Sequence, residues 1–308
     1  MNRMKNGVIM INKNEILRKP AIKYAWLRVL LFIIGFLIAT TVIQTIGMMI
    51  LMVAKTDLGI EDIESFMSDT ENFNYILLLK FLGLLAVLFT VWIFRKFIDR
   101  RTVMSLGFSI KNKSKDIIAG FGLGFVLITL GFFILYFTGY LNVISIVFNT
   151  ETIFGTFLFF VFVAIHEEIL FRGYILNNLM TSMNKYVALA ISAVLFALIH
   201  GINPNITIVA VVNLILAGFV LGISYIHTKN LWLPIFFHLS WNYFLGPIFG
   251  FEVSGLELNT TIVQEVTGST LITGGKFGFE GSLILTALLI IGFFAIDKFY
   301  RTRSLKTT

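Results

Sequence analysis

The sequence predicts an all-α polytopic membrane protein with about eight transmembrane helices and both termini in the cytoplasm. Three observations predict it. Of 308 residues, 57% are hydrophobic and only 13% are charged, where a soluble domain carries about a quarter charged residues. The apolar residues are gathered into uncharged runs of about 20, the length that crosses a hydrocarbon core. Lys and Arg crowd alternate connections and Asp and Glu crowd the others, which is the positive-inside pattern. The composition excludes a water-soluble globule. The absence of cysteine excludes disulfide frameworks, thiolate zinc sites, iron–sulfur clusters and a cysteine nucleophile. The net charge of +7 is read as setting orientation in a lipid bilayer, with no nucleic-acid partner expected.

The elements follow in order. Arg3, Lys5, Lys13, Arg18, Lys19, Lys23 and Arg28 precede the first run, Val29 to Ala54, so the N-terminus is placed inside on an uncleaved anchor. The loop with Asp57, Glu61, Asp62, Glu64, Asp69 and Glu71 suits the outside. Phe73 to Phe94 is the second span, with Lys80 near its outer end and able to snorkel. Arg95 to Lys115 is a basic, cytoplasmic connection. Ile117 to Tyr140 is the third span, opening on Gly120, Gly122 and Gly124, small residues that allow close helix approach. Thr152 to Met180 is the fourth, and it is interrupted by His166, Glu167, Glu168 and Arg172. A short fifth span, Tyr186 to Ile199, ends at His200 before the turn Gly201–Asn205. Ile206 to Ile226, Leu231 to Phe249 and Phe277 to Ile296 complete the set, and Lys298, Arg301, Arg303 and Lys306 close the chain inside. Residues 1–116 are read as the N-terminal cytoplasmic segment with the first two spans. Residues 117–308 are read as the core, with its motifs in 150–250, the whole forming one integrated membrane domain.

Ionisable groups at the bilayer centre cost at least ~2.5–3.5 kcal/mol, which makes them functional candidates. Here they concentrate on the fourth, fifth and seventh spans. Glu168 and Arg172 are i and i+4 with the acid first, the favourable order for an ion pair. Glu167 points about 100° away and is left to face a polar cavity. His238 and Asn242 share one face of the seventh span, and His200 ends the fifth. His166 is supporting at most, His227 lies in a loop facing water, and Asn213 is interhelical hydrogen-bonding glue. A carboxylate, two imidazoles and a carboxamide from three helices suffice to hydrolyse an amide: Glu as base on water, His and Asn as donors to an oxyanion. One Glu and two His also match a His₂Glu zinc set, although Leu170 stands where H-E-x-x-H would place its second His. Residue types alone leave zinc-bound and carboxylate-activated water both open. One tension accompanies the scheme. At 1.5 Å per residue, Glu167 and His200 differ in depth by roughly 10 Å, so the fifth span must tilt or begin below the surface for them to meet.

Glu167-Glu168-x-x-x-Arg172, Phe196-x-x-x-His200 and His238-x-x-x-Asn242 resemble the three motifs of the CAAX-protease and bacteriocin-processing (CPBP, or Abi) intramembrane proteases. The resemblance covers residues 150–250. It implies that Glu167 activates the water, Glu168 pairs with Arg172, His200 assists at the water, and His238 with Asn242 forms an oxyanion hole, Phe196 being the structural member of its motif. It implies an endopeptidase similar to CAAX prenyl proteases, acting near the cytoplasmic leaflet on a peptide or membrane-associated protein. Peptide maturation and bacteriocin immunity are among the family's roles. Metalloprotease and metal-free glutamate mechanisms both belong to that resemblance. The metal is therefore undetermined, with zinc one option and the metal-free route preferred because two donors on adjacent turns suit one oxyanion. The competing readings are a proton-coupled transporter and a non-catalytic membrane regulator. Against the first stands the absence of an internal repeat. The Ile-, Phe-, Asn- and Lys-rich usage points to a bacterial plasma membrane.

Overall fold

The computed structural model describes residues 19–54 and 73–305. The basic residues before Lys19, the acidic Asp57–Glu71 loop and Lys306 lie outside the described residues. The long helices are α1 (Ala25–Ala54), α2 (Phe73–Ile93), α3 (Ser114–Phe137), α4 (Thr150–Glu168), α5 (Lys185–Ile199), α6 (Ile208–Thr228), α7 (Trp232–Tyr243) and α8 (Leu283–Leu305). Three of them run on through widened π-helical turns: α2 through Phe94–Asp99, α4 through Ile169–Leu176 and α7 through Phe244–Ile248. Asn149, Asn184 and Thr207 cap the starts of α4, α5 and α6 with side-chain oxygens, as short polar residues do at a helix N-terminus.

Among the described residues seven helices are long and apolar enough to cross a membrane, and the chain is an all-α multi-pass membrane protein. The expected seventh span falls short of that length. The 12 residues of α7 and the five of its π-turn begin only after Asn230, whose side chain donates to the Ser109 carbonyl. The α2–α3 connection thus packs against the start of α7, Leu231 N also donating to the Gly107 carbonyl. The eighth helix starts at Leu283, not at Phe277. Gly274, Gly275 and Gly278 all have positive φ and break the run into short turns that fold back into the bundle. A small feature escaped the sequence reading. β1 (Leu141–Ile146) and β2 (Ile262–Val266) pair antiparallel with a bulge between Val143 and Ser145. Strands of six and five residues so far apart in sequence carry no hairpin turn to announce them.

Close packing follows the small residues. A Cβ on Gly120 would stand 2.4 Å from the Leu233 carbonyl and one on Gly124 2.7 Å from that of Phe237, while Gly122 faces open space. The α3–α7 crossing therefore uses two of the three glycines, one turn apart. Asp99 is fully buried and accepts from Arg28 on α1 (3.1 Å), Arg95 (3.0 Å) and Asn178 beyond α4 (3.3 Å). Phe32 stacks on Tyr174 at 3.7 Å between ring centres. Through these contacts α1 and α2 are tied to the helix that carries Glu167.

Candidate active site

Glu167 and Glu168 close α4 just where its helix widens. Glu168 is fully buried, with Arg172 Nη1 2.8 Å from its Oε1. The same oxygen accepts from His238 Nδ1 at 2.9 Å. Arg172 also donates to the Gly218 carbonyl at 3.2 Å. Its guanidinium lies 4.7 Å from the centre of the Phe196 ring, a cation–π contact in a dry setting. Phe196 in turn packs 4.7 Å from the His200 ring. Glu168, Arg172 and Phe196 form a buried platform behind the two imidazoles. The link from Glu168 to His238 crosses 70 residues, and helix-face reasoning on α4 alone could not find it.

Glu167 points the other way. Its Oε2 is buried with no hydrogen-bond partner, and His200 Nε2 and His238 Nε2 each lie 3.9 Å from it. Such gaps are too long for direct hydrogen bonds and are the spacing a bridging water fills. The tautomers are set from behind. His200 Nδ1 lies 2.8 Å from the Phe196 carbonyl, so Nδ1 carries the hydrogen and Nε2 presents a lone pair. His238 Nδ1 faces the Glu168 carboxylate, so a neutral His238 also presents a lone pair, and Nε2 donates only in the imidazolium form. Asn242, one turn beyond His238 on the same face, lines the same cavity. That cavity measures about 230 Å³ and is walled by apolar side chains such as Phe159, Val163, Leu214 and Leu289.

The depth tension has a geometric resolution. α4 with its widened turn continues to Leu179, so the helix is longer than the hydrocarbon core and depth is best counted from the connection it shares with α5. From there Glu167 is twelve residues in, ~18 Å, and His200 about fifteen from Lys185, ~22 Å. The two differ by one turn at most, which side-chain reach covers.

Other groups fall differently from expectation. Lys80 does not reach for the outer water. It is half-buried, lines the cavity with Glu167, and its ammonium sits 5.9 Å from the Phe159 ring centre with no ion pair among the described residues. His227 is not simply facing water: Nε2 lies 2.8 Å from Asp297 Oδ1, and the ring stacks on Tyr300. His166 is turned away from the cavity, against Phe36 and Gly83, and neither ring nitrogen has a partner. Asn213 donates to the carbonyls of Glu280 and Ser282, 2.8 Å each. Glu280, Ser254 and Asn203 also line the cavity. Sequence reasoning missed them, since they belong to connections whose course only the fold reveals. On that same stretch, outside the spans, burial pushes the Glu252 carboxyl above its usual range, a backbone hydrogen bond opposing and the Glu257 charge adding to the rise.

The donor set suits a zinc ion in chemistry. Glu167, His200 and His238 offer one carboxylate and two imidazole lone pairs, and each imidazole anchors its other nitrogen on a carbonyl or carboxylate, the usual support of a metal-bound His. The spacing is wider than a bound set: ligand atoms ~2.0–2.1 Å from a tetrahedral zinc stand roughly 3.4 Å apart, against the 3.9 Å seen. Among the described residues no group of three or more His, Cys, Asp or Glu side chains is placed closely enough to hold a metal ion.

No solved structure matches the chain. A Bacillus subtilis (strain 168) protein named "Putative membrane peptidase YdiL" is 32% identical over 112 residues, covering 36% of this chain and 41% of its own length. The chain thus spans about two fifths of that relative. The family model described as type II CAAX prenyl endopeptidase Rce1-like matches residues 148–244, the stretch from the start of α4 to the end of α7. Over these residues the chain is similar to the CAAX-protease (CPBP, Rce1-like) family.

Proposed function

We propose that the protein is an intramembrane endopeptidase that hydrolyses a peptide bond with water activated by Glu167. The observation that carries this reading is the buried, unpartnered Glu167 Oε2 standing 3.9 Å from both imidazole Nε2 atoms. A water held there gives one hydrogen to Glu167 and rests the other on the His200 lone pair. As its oxygen adds to the substrate carbonyl, Glu167 takes the proton, and it later delivers that proton to the departing amine. The oxyanion meets the Asn242 amide and, from the imidazolium form, His238 Nε2–H. Glu168 and Glu167 on either side of that ring offset its charge. Zinc, were it held by Glu167, His200 and His238, would supply Lewis acidity and a more acidic water. The apolar walls of the cavity suit a peptide or membrane-associated protein substrate rather than a polar solute.

Residues 117–308 act as the protease core and the preceding spans as its brace. Both termini and the Arg95–Lys115 loop are cytoplasmic in this reading. Cleavage near the cytoplasmic leaflet belongs to the same proposal. The relative's organism supports a bacterial plasma membrane. Purified protein in micelles, incubated with a peptide library beside Glu167→Ala, tests the proposal: the wild type releases fragments and the variant none. Equal release by both would refute it, and no release by either would favour a carrier or a non-catalytic regulator.

A further inference from the structure

The stretch between α7 and α8 re-enters the bundle from the end opposite the basic loops and roofs the cavity. Phe251, Val253, Phe277, Phe279 and Ser282 are all buried. Glu280 stands at its centre, and no Lys, Arg or His pairs with it among the described residues. Its carboxylate is held by neutral donors instead: Trp241 Nε1 at 3.0 Å on one oxygen, and Ser254 N at 2.7 Å and Oγ at 2.9 Å on the other. A buried carboxylate is costly unless its lone pairs are met, and these three donors offset that cost. Ser254 adds a second cost. It holds φ +51, a left-handed backbone that a residue with a Cβ rarely adopts and that gathers near functional sites.

The network has two ends, and both are at the site. Trp241 immediately precedes Asn242 on α7. At the other end the Ser254 carbonyl accepts from Asn203 Nδ2 at 3.1 Å, and Asn203 N closes the His200 turn on the His200 carbonyl at 3.0 Å. Glu280 itself cannot shift freely, because Asn213 grips its backbone carbonyl. We infer that Glu280 is a positioning residue: through Ser254 and Asn203 it sets the His200 turn against the helix that carries His238 and Asn242. The inference rests on the endopeptidase reading for its catalytic consequence, but the mechanical link stands apart from it.

The test uses the full chain. In Glu280→Gln the amide keeps one acceptor oxygen and turns an N–H against a donor, so either Trp241 or Ser254 loses its partner. kcat per folded molecule falls roughly tenfold or more, as misplacement of reacting groups does, while KM stays within about threefold. Hydrogen exchange rises in residues 201–205 and 250–256 and is unchanged in α3. Asn203→Ala, a change in a half-buried turn that leaves the core intact, lowers kcat in the same direction by about threefold or more if Glu280→Gln fails to fold. Wild-type kcat in both variants, or loss that only tracks the amount of folded protein, overturns the inference, as does unaltered exchange in 201–205. A wild type that cleaves nothing while Glu280→Gln loosens 201–205 refutes the endopeptidase reading and leaves the link standing.

Discussion

Two adjacent acids make the most discriminating test, because the structure gives them opposite surroundings. Glu168 is fully buried and its Oε1 accepts from both Arg172 and His238. Glu168→Gln removes the only carboxylate that pairs with Arg172 among the described residues, and breaking a buried pair costs about 3–5 kcal/mol. Arg172 keeps the Gly218 carbonyl and the Phe196 ring, so the lower end, ~3 kcal/mol, is expected, roughly a hundredfold in the folding equilibrium. Glu167→Gln removes a carboxylate whose buried oxygen has no hydrogen bond to lose, and stability changes by no more than ~0.5 kcal/mol. Apparent Tm in one detergent at one scan rate, read beside peptide cleavage, separates the two. Glu167→Gln is inactive with a wild-type Tm. Glu168→Gln has a clearly lower Tm, and its remaining folded molecules cleave about 10–100-fold more slowly because His238 has lost the group that orients it. Pairing Glu168→Gln with Arg172→Met removes the stranded charge and recovers part of the Tm. Equal Tm losses in Glu167→Gln and Glu168→Gln would refute the division of labour.

Four further outcomes are expected. A cysteine at the exposed Arg100, in a chain with none of its own, is labelled by an impermeant thiol reagent only after cells are opened; labelling from outside refutes the topology. Activity survives exhaustive chelation and elemental analysis finds well below one metal per chain, because the 3.9 Å spacing is wide for a zinc set; chelation loss restored by zinc with stoichiometric metal reverses this. Asp99→Asn strands Arg28 and Arg95 together and costs about 3–5 kcal/mol, seen as a lower Tm with α1 and α2 exchanging faster; an unchanged Tm refutes the brace. Glu252→Gln raises Tm at pH 8 but not at pH 4. A carboxyl raised in the folded state by burial leaves stability intact below its unfolded value of about 4.3 and loses it as pH rises through the folded one. A gain that is the same at both pH values contradicts the sign.

What was legible in the sequence was what a single helix writes down. Apolar runs marked the spans because lipid allows few alternatives to a hydrogen-bonded helix, and the i, i+4 spacings of Glu168 with Arg172 and of His238 with Asn242 assigned shared faces. The illegible part was everything that depends on two segments meeting. The sequence points Lys80 toward outer water, because its own helix gives no sign that α4 stands beside it with Phe159. The Glu168–His238 contact joins two motifs that each looked self-contained, and it gives Glu168 two partners where sequence spacing supplied one. The stretch before α8 looks like membrane span because Phe277 and Phe279 are apolar, yet its glycines turn those same rings into the bundle as a plug.

That contact between motifs also constrains how the site can work. If Glu168 were only the counter-charge of Arg172, a neutral pair of equal volume could replace both at little cost. With His238 on the same oxygen, Glu168 also decides which nitrogen of that ring carries hydrogen, and so whether Nε2 meets the cavity as a lone pair or as a donor. Glu168→Gln with Arg172→Met, which restores charge balance, therefore recovers stability while the cleavage rate stays depressed. Full recovery of both would reduce Glu168 to a counter-ion and leave the oxyanion to Asn242 alone.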